Sequence, residues 1–484
     1  MLDQRRSIWS WAFYDWANSA FATTVMAGFF PIFFKAYWAN PEAPEESTFY
    51  LGLANSLASI IVAALAPFLG AVADKGTAKK KFLMLFAFLG VIMSGSLWMV
   101  AQGHWQMAAA FYVLATVGFS GGNIFYDSLL PGVASAKKVD YVSSLGFSMG
   151  YIGGGLLFLV NVIMYLKPEI FGFISGDLAA AARQIKSEAI GFEELKMVVF
   201  GLDDRYAMIV QAFTTNTQSE SDLIKLVTAA LGSAEAAAIK ASFLSVAVWW
   251  GLFSIPIILF VEEPKLLNSV PIHKAIKLGW LQLLNTLKEI RHLKVVGLFL
   301  LAYWFYIDGV DTIIRMAVDY GSSLGFPASS LITALLMVQF VAFPATLVYS
   351  WYTSKVGPKN AVYTGIVAYS IFTILGFFMT TVSHFYMLAF GIGLFQGGIQ
   401  AISRSLYSRI IPKDKAAEFY GFFNMLGKFA AVLGPAMMGT ITMVTGNVRS
   451  GILSVLLLFI AGGILLRLVD IKLGEETAKK HLAG

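Results

Sequence analysis

Residues 300–320 read LLAYWFYIDGVDTIIRMAVDY, an apolar stretch that carries Asp308, Asp311, Arg315 and Asp319. About 20 apolar residues cross the hydrocarbon of a bilayer as one helix. Steps of three, four and four residues place the four charges on one face of that helix. Since a charge at the bilayer centre costs about 2.5–3.5 kcal/mol on insertion scales, this face is expected to line a water-filled cavity or to meet paired partners.

The charged face has two interpretations. Asp311 and Arg315 are four residues apart, so they can form a structural salt bridge with each other or belong to a transport site. Asp308 has no such local partner, which favours a functional role for it.

The composition of the whole chain indicates a polytopic membrane protein. Of its 484 residues, 57% are hydrophobic and 13% are charged, whereas soluble domains average about 45–50% apolar and about 25% charged. The chain has no Cys, which excludes disulfides, a thiol nucleophile and a thiolate metal site. The net charge of +6 lies in loops, so it indicates topology and no nucleic-acid partner.

The sequence predicts an all-α integral membrane protein with twelve transmembrane helices. The predicted spans cover residues 8–38, 50–73, 82–101, 106–130, 141–166, 241–261, 293–319, 327–353, 361–381, 383–411, 418–445 and 448–470. The first and tenth exceed the length that a bilayer requires, which predicts tilt or protruding ends. The first span lacks a cleavage site after a short core, so we expect it to be retained rather than removed as a signal peptide.

Positive charge divides the connecting segments into two classes. With both termini inside, the inside segments hold 20 Lys and Arg residues and the adjoining span ends hold three more, whereas the five short outside loops hold none and their adjoining span ends hold only Lys35 and Arg449. The positive-inside rule therefore predicts cytoplasmic N- and C-termini, and the membrane that we expect is a bacterial inner membrane.

Six segments are expected along the chain. They are an N-terminal half at 1–166 with helices one to five, an extracytoplasmic insert at 167–240, helix six at 241–261, a cytoplasmic linker at 262–292, a C-terminal half at 293–470 and a cytoplasmic tail at 471–484. The polar insert is expected to form a small cap or an irregular loop over the outer mouth. Apolar residues of the linker share one face, which predicts an amphipathic helix in the membrane plane.

An internal repeat relates the two predicted halves. Three features recur in the same order: Asp15-Trp-Ala-Asn18 with Asp308-Gly-Val-Asp311, Gly121-Gly122 with Gly397-Gly398, and Gly150 with Gly427. Chance resemblance between glycine-rich helices is the alternative for each match alone. The common order favours a duplicated six-helix unit, whose halves would enclose a site near the midplane of the membrane.

Polar side chains inside the spans predict the residues of that site. The candidates for substrate binding or proton coupling are Asp15, Asn18, Asp308, Asp311, Arg315, Gln396, Gln400, Arg404 and Lys428. Their cations can pair with a carboxylate or phosphate of a substrate, and their acids can pair with an amine.

The candidate roles differ between these charges. A carboxylate whose surroundings alternate between apolar and cationic can take up and release a proton. Asp308 is the leading candidate for this coupling role, and Asp15 is the second. Asp127 and Arg404 lie near the inside ends of their spans, so a gate or a loop anchor is an equally open interpretation for them.

Two further patterns concern packing. Gly146, Gly150 and Gly154 are spaced by four, which favours close helix packing, with a hinge as the alternative. Most aromatic residues, among them Trp11 and Trp38, lie at span ends and are expected in the interfacial belt.

The loop between spans two and three, GAVADKGTAKK at 70–80, resembles the signature loop of the major facilitator superfamily. The resemblance implies that Asp74 caps and ion-pairs with neighbouring helices as a gate. The other residues of the matching motif are Gly70, Lys75, Gly76 and Lys79, and Asp127 is a further gate candidate. Gly76 stands one position early, and the second copy at 355–359 lacks the acid, which leaves a gate on that side in doubt.

The opening residues 11–23, WAFYDWANSAFAT, are similar to the signature of the vacuole-effluxer-like branch, also labelled unknown major facilitators. This resemblance covers the signature tightly and the twelve-helix frame loosely, and the 167–240 insert has no match. It implies an exporter-type secondary carrier. Fungal members are associated with release of amino acids from the vacuole, and lysolipid export has also been proposed.

We therefore expect a secondary active transporter that works by alternating access, is proton-coupled, and exports a small zwitterionic or amphiphilic metabolite such as an amino acid. One alternative is a lysophospholipid carrier of the same fold, and another is a non-transporting receptor or scaffold that uses the insert. We expect no enzyme, because no span core holds a His and no nucleophile–base pair or metal motif occurs. A monomer without a cofactor is expected, with a small-molecule substrate, bilayer lipids and protons as its partners.

Overall fold

The protein is described from a computed structural model. The structure describes residues 2–40, 44–76, 78–186, 192–202, 206, 209–212, 220–263 and 294–480. Within these residues every regular element is helical, which confirms the all-α prediction.

In the part of the chain that the structure describes, eight longer helices lie before the linker. They are α1 (Arg5–Trp38), α2 (Pro44–Gly76), α3 (Lys79–Ser96), α4 (Trp105–Val133), α5 (Val139–Leu166), α6 (Gly176–Lys186), α7 (Phe192–Phe200) and α8 (Glu220–Phe253, continued by a short helix at Ile255–Phe260). Seven follow it. They are α9 (Lys294–Ser323), α10 (Ala328–Val356), α11 (Pro358–Phe377), α12 (Val382–Ile410), α13 (Ala416–Thr445), α14 (Val448–Leu468) and α15 (Ile471–Lys480).

The long helices form two bundles of six. In the described residues, eleven helices are long and apolar enough to cross a membrane, and α13 is the twelfth by length and position. One apolar core unites α1–α5 with α8, and a second unites α9–α14. We call the face that carries both chain ends the termini side and the opposite face the insert side.

Lysines at corresponding places join the third and the last membrane helix of each half. The Lys80 ammonium donates to the carbonyls of Ile258 (2.7 Å) and Val261 (2.6 Å) at the end of helix six. The Lys359 ammonium donates to those of Arg467 (3.0 Å) and Val469 (2.7 Å) at the end of helix twelve. Both satisfy carbonyls that a helix end leaves without partners. The sequence repeat did not include this pair, because only the contacts reveal it.

The first helix departs from the regular α pattern. It contains π-helical segments at Phe21–Phe29 and Phe34–Trp38, and the Thr23 hydroxyl in the first of them donates to the Gly154 carbonyl of α5 (3.2 Å). The interfacial position expected for Trp11 and Trp38 is wrong, because both are fully buried. Their indole N–H groups donate to carbonyls inside the bundle, so they do not need the polar interface.

The insert is a small helical unit on the insert side. Helices α6 and α7 and the first turns of α8 enclose an apolar core that includes Leu178, Leu195 and Leu231. Arg183 holds this unit to the end of α5 through a bidentate contact with Glu169, in which both N–O distances are 2.8 Å. Helix α8 begins about 20 residues before the predicted sixth span since those residues complete the core of the insert.

The two cytoplasmic segments of the sequence analysis have different outcomes. The amphipathic helix predicted within 262–292 lies outside the described residues. The tail contains the helix α15, whose Gly474 packs against Ile410 of α12 and Val295 of α9. The outer face of this helix exposes Lys472, Leu473 and Glu476, and the sequence analysis did not predict a helix there.

A charge cluster between the two halves as candidate functional site

Arg404 of α12 crosses from the C-terminal half into the N-terminal half. Its Nη1 lies 3.0 Å from Asp127 Oδ1 of α4 and 3.5 Å from Asp15 Oδ2 of α1. All three side chains are buried, and the Arg404 residue is 3% exposed. The structure therefore brings together three residues that the sequence analysis proposed separately, and we call them the charge cluster.

The remaining nitrogens of Arg404 contact one residue that sequence reasoning missed. Arg404 Nε donates to Ser143 Oγ (2.9 Å), and Nη2 donates to the Ser143 carbonyl (2.8 Å). The guanidinium carbon also lies 4.2 Å from the ring centroid of Phe147 and 4.9 Å from that of Trp11. The N-terminal half thus satisfies each nitrogen of the fork and stacks aromatic rings on the cation.

The two carboxylates are held by further contacts. Asp15 Oδ2 accepts from the Tyr126 hydroxyl (2.8 Å), and Asp127 Oδ2 accepts from the Asn424 amide (3.2 Å) of α13. A Cβ at Gly146 would lie 2.7 Å from both Asp15 Oδ2 and the Tyr126 hydroxyl oxygen. The glycine spacing along α5 therefore serves close packing, because α1 needs this space for its carboxylate.

Two hydrogen bonds of side-chain amides lie about one turn from the charge cluster on the same helices. The Asn18 amide donates to Asn123 Oδ1 (2.6 Å) within the N-terminal half. The Tyr151 hydroxyl of α5 donates to Gln400 Oε1 of α12 (2.9 Å), which joins the halves. Gln396 lies one turn farther along α12 and is 8% exposed. Tyr151 gave no signal in the sequence beyond being one aromatic residue among many.

Asp308 does not share the space of Asp15. It is fully buried, and its Oδ1 accepts from the Gly434 N–H (3.0 Å) and the Thr312 hydroxyl (3.3 Å). Both donors belong to the C-terminal half, so Asp308 joins α9 to α13. Gly434 precedes Pro435, whose ring disturbs the local helix. The contact places Asp308 between α9 and α13, which the sequence could not show, while the buried Oδ2 has no hydrogen-bond partner among the described residues.

The other candidates on α9 and α13 are placed as follows. Asp311 is half-buried and Arg315 is exposed, and the ion pairs of the described residues include none between these two. Lys428 lies in α13, and Asp319 lies in α9, but the side chains of both fall outside the described residues.

The signature loop contacts the opposite half at the termini side. Asp74 is 2% exposed, accepts from the N–H groups of Ala417 (3.2 Å) and Glu418 (2.9 Å), and lies 2.8 Å from Lys79 Nζ. The carboxylate thus caps the first turn of α13, where free N–H groups favour an anion. Gly70 contacts the Ala417 carbonyl, so any larger residue would separate α2 from α13. The side chains of Lys75 and Gly76 are outside the described part.

A second ion pair at this face was missed in the sequence. Arg409 of α12 lies 2.6 Å from Asp140 of α5 and 3.9 Å from Glu475 of α15. The hydrogen bonds and ion pairs that the structure describes between the halves lie at mid-height or toward the termini side. The protein is therefore closed on the termini side.

Comparisons with known proteins agree with this architecture. A family model described as "Vacuole effluxer Atg22 like" matches residues 3–172 and 209–479. The chain belongs to this family. The match leaves out 173–208, so the part of the insert that contains α6 and α7 is not part of the Atg22-like pattern.

Individual relatives are similar to this chain over most of its length, and a solved structure shares its fold. The uncharacterized MFS-type transporter YxiO of Bacillus subtilis is 35% identical over 97% of this chain and 95% of its own. Autophagy-related protein 22 of Coccidioides immitis is 23% identical over 98% of this chain and 88% of its own. The human organic anion transporter MFSD10 superposes with a TM-score of 0.64 at 11% identity, covering 96% of this chain and all of that one, which shows the fold. The Atg22-like chain is a transporter of the major facilitator superfamily.

Proposed function

We propose that this Atg22-like transporter exports a small zwitterionic metabolite, such as an amino acid, in a proton-coupled cycle. The charge cluster is the observation that carries the proposal, because it joins the two halves through buried charges that opening must separate. The positive charge of the termini-side segments and the similarity to a bacterial relative support a plasma-membrane location with that side in the cytoplasm.

Opening on the termini side would require the loss of specific contacts. Arg404 would leave Asp15, Asp127 and Ser143, and Asp74 would leave the first turn of α13. Because a buried charge without a partner is costly, each open state needs a replacement partner for these groups. A transporter that works by rocking of its halves alternates between two such arrangements, one with these contacts formed and one with them replaced.

The charge cluster also supports a revised choice of coupling residue. Asp15 and Asp127 share one nitrogen of Arg404, so its departure would leave two carboxylates side by side. A proton on one of them would relieve their repulsion. Asp308 remains within its own half through Gly434 and Thr312, and its contacts do not cross between the halves. We therefore assign coupling to Asp15 and Asp127 in place of Asp308.

Polar groups near the cluster suit a zwitterion. Tyr151, Gln400 and the Asn18–Asn123 pair offer neutral hydrogen-bonding groups. Asp311 and Arg315 lie one turn apart on α9 with opposite charges, as the ammonium and carboxylate of an amino acid require. The family description as an effluxer supports the outward direction.

Proteoliposomes with an imposed pH gradient test this function. We expect pH-driven amino-acid flux to fall by about tenfold or more in Asp15→Asn and Asp127→Asn, a loss that corresponds to about 1.4 kcal/mol. Asp222→Asn, a change at an exposed ion pair in α8, is the control. Unchanged pH dependence in both variants contradicts the coupling assignment, and wild-type protein without flux for any amino acid contradicts the function.

A further inference from the structure

The partners of Arg404 form a binding site that belongs entirely to the N-terminal half. Six residues from three helices surround the guanidinium, and we call them the cage: Trp11, Asp15, Tyr126, Asp127, Ser143 and Phe147. None of them lies on the helix that carries Arg404. The cation therefore comes from the opposite half of the protein.

Most of the contacts that hold the cage together do not involve Arg404. Trp11 stacks on Tyr126 with a centroid distance of 4.3 Å, and the Trp11 indole N–H donates to the Tyr126 carbonyl (3.0 Å). The Tyr126 hydroxyl in turn donates to Asp15 (2.8 Å). These contacts lie within the N-terminal half, so they persist when α12 moves away. Among the described hydrogen bonds, Asp127 has one further partner, Asn424 of α13. Asn424 moves away with the C-terminal half.

When Arg404 leaves, the two buried carboxylates of the cage lose the cation that pairs with them. Two carboxylates and three aromatic rings would face the vacated space, and buried carboxylates without a partner are unstable. Protons can neutralise the acids, but they leave the Ser143 carbonyl and the ring faces without a partner. A guanidinium group would restore every contact, because its planar fork matches acceptors that an ammonium ion can meet only in part.

We propose that the cage binds the guanidinium group of a transported solute when the termini side is open, and that Arg404 is a tethered competitor for the same site. This inference rests on the proposed function and names its substrate class as guanidino compounds. Loading occurs from the cytoplasm when Arg404 has withdrawn. Return of Arg404 to the cage then displaces the solute and closes the termini side, which couples closure to release.

The first test uses binding to purified protein in detergent. Arg404→Ala empties the cage, and the probes are methylguanidinium, methylammonium and the neutral isostere methylurea. We expect methylguanidinium to raise the melting temperature of this variant the most, since a ligand selective for the folded state stabilises it. Adding Asp127→Asn should abolish the effect. Equal stabilisation by methylurea, or none by methylguanidinium, overturns the proposal.

The second test uses the unaltered chain, so it stands even if Arg404→Ala does not fold. Wild-type proteoliposomes are loaded with arginine, lysine or citrulline, which keeps the shape of arginine without its charge. We expect arginine exchange to exceed citrulline exchange by about tenfold or more, with lysine between them. Equal exchange of arginine and citrulline overturns the cage proposal and leaves the proposed function intact. Absence of exchange for every amino acid contradicts the proposed function, while the binding test still decides the cage.

Discussion

At the scale of single residues, burial alone does not identify a coupling group. Asp15 and Asp308 are both buried acids in corresponding helices, yet their partners differ. Asp15 meets a cation from the other half, whereas Asp308 accepts a backbone N–H of its own half. In the proposed cycle, the first group would change its partners when the halves move, and the second would keep the partners of its own half.

This difference predicts distinct effects of two substitutions at Asp308. Asp308→Asn keeps an oxygen that accepts from Gly434, so stability and pH-driven flux should stay near wild type. Asp308→Ala leaves that buried N–H without a partner and should cost about 1–3 kcal/mol. Thermal unfolding in detergent measures both. Loss of pH-driven flux in a stable Asp308→Asn protein would restore the original assignment of coupling to Asp308.

The Glu169–Arg183 contact predicts a pH response of the insert. Two hydrogen bonds from Arg183 hold the pKa of Glu169 below its usual value. The contact therefore stabilises the insert above the ordinary carboxyl pKa, and this contribution is lost as the pH falls through the lowered pKa. A spin label at exposed Ala180, introduced as cysteine, should become more mobile at acid pH. Glu169→Gln should be mobile at every pH, and a pH response that survives in that variant would refute the assignment.

At the scale of helices, small residues decide which side chains fit between α1 and α5. Gly146, Gly150 and Gly154 all face α1, where they meet Asp15, Ser19 and Thr23. The spacing of four predicted close packing, and the structure shows what the space is for. A polar side chain fits between the helices only because the opposing helix has no Cβ there.

The helix scale gives a prediction with a matched control. Gly146→Ala would place a Cβ 2.7 Å from Asp15 and should cost about 1–3 kcal/mol by overpacking. Gly232→Ala in α8 meets nothing within 4 Å, so it should stabilise the helix by up to about 1 kcal/mol. Melting temperatures should therefore shift in opposite directions. A shift of the same sign in both variants would mean that packing against Asp15 is not the reason for the glycine.

At the scale of the whole molecule, two sets of carboxylate contacts close the termini side. Asp74 binds the start of α13, and Asp140 binds Arg409 at the end of α12. Both sets lie closer to that face than the charge cluster does. They hold the halves together at the face where, in the proposed cycle, the bundle opens to load its solute.

Removing both sets should shift the conformational equilibrium. The double variant Asp74→Asn with Asp140→Asn is expected to favour a state open on the termini side. The native chain has no Cys, so spin labels at Lys137 and Lys413 report that face without background. Their distance should lengthen, and a control pair at Gln102 and Thr381 on the insert side should shorten. Unchanged distances at both faces would show that these contacts do not set the equilibrium.

The sequence by itself determined the membrane class, the helical spans, the two halves and the family. These follow from hydropathy, loop charge and short motifs, which depend on residues close together in the chain. It also singled out Asp15, Asp127 and Arg404 as candidates, because charges inside a span are costly and rare.

Only the tertiary structure decided which charges meet. Arg404 lies 277 positions from Asp127, and Asp308 lies 126 from Gly434, so no local pattern relates them. A rotation of one helix by a single residue moves a side chain by about 100°, since a turn holds about 3.6 residues. The rotation is set by packing across the bundle, and packing therefore made Arg404 the link between the halves and Asp308 a contact within one of them.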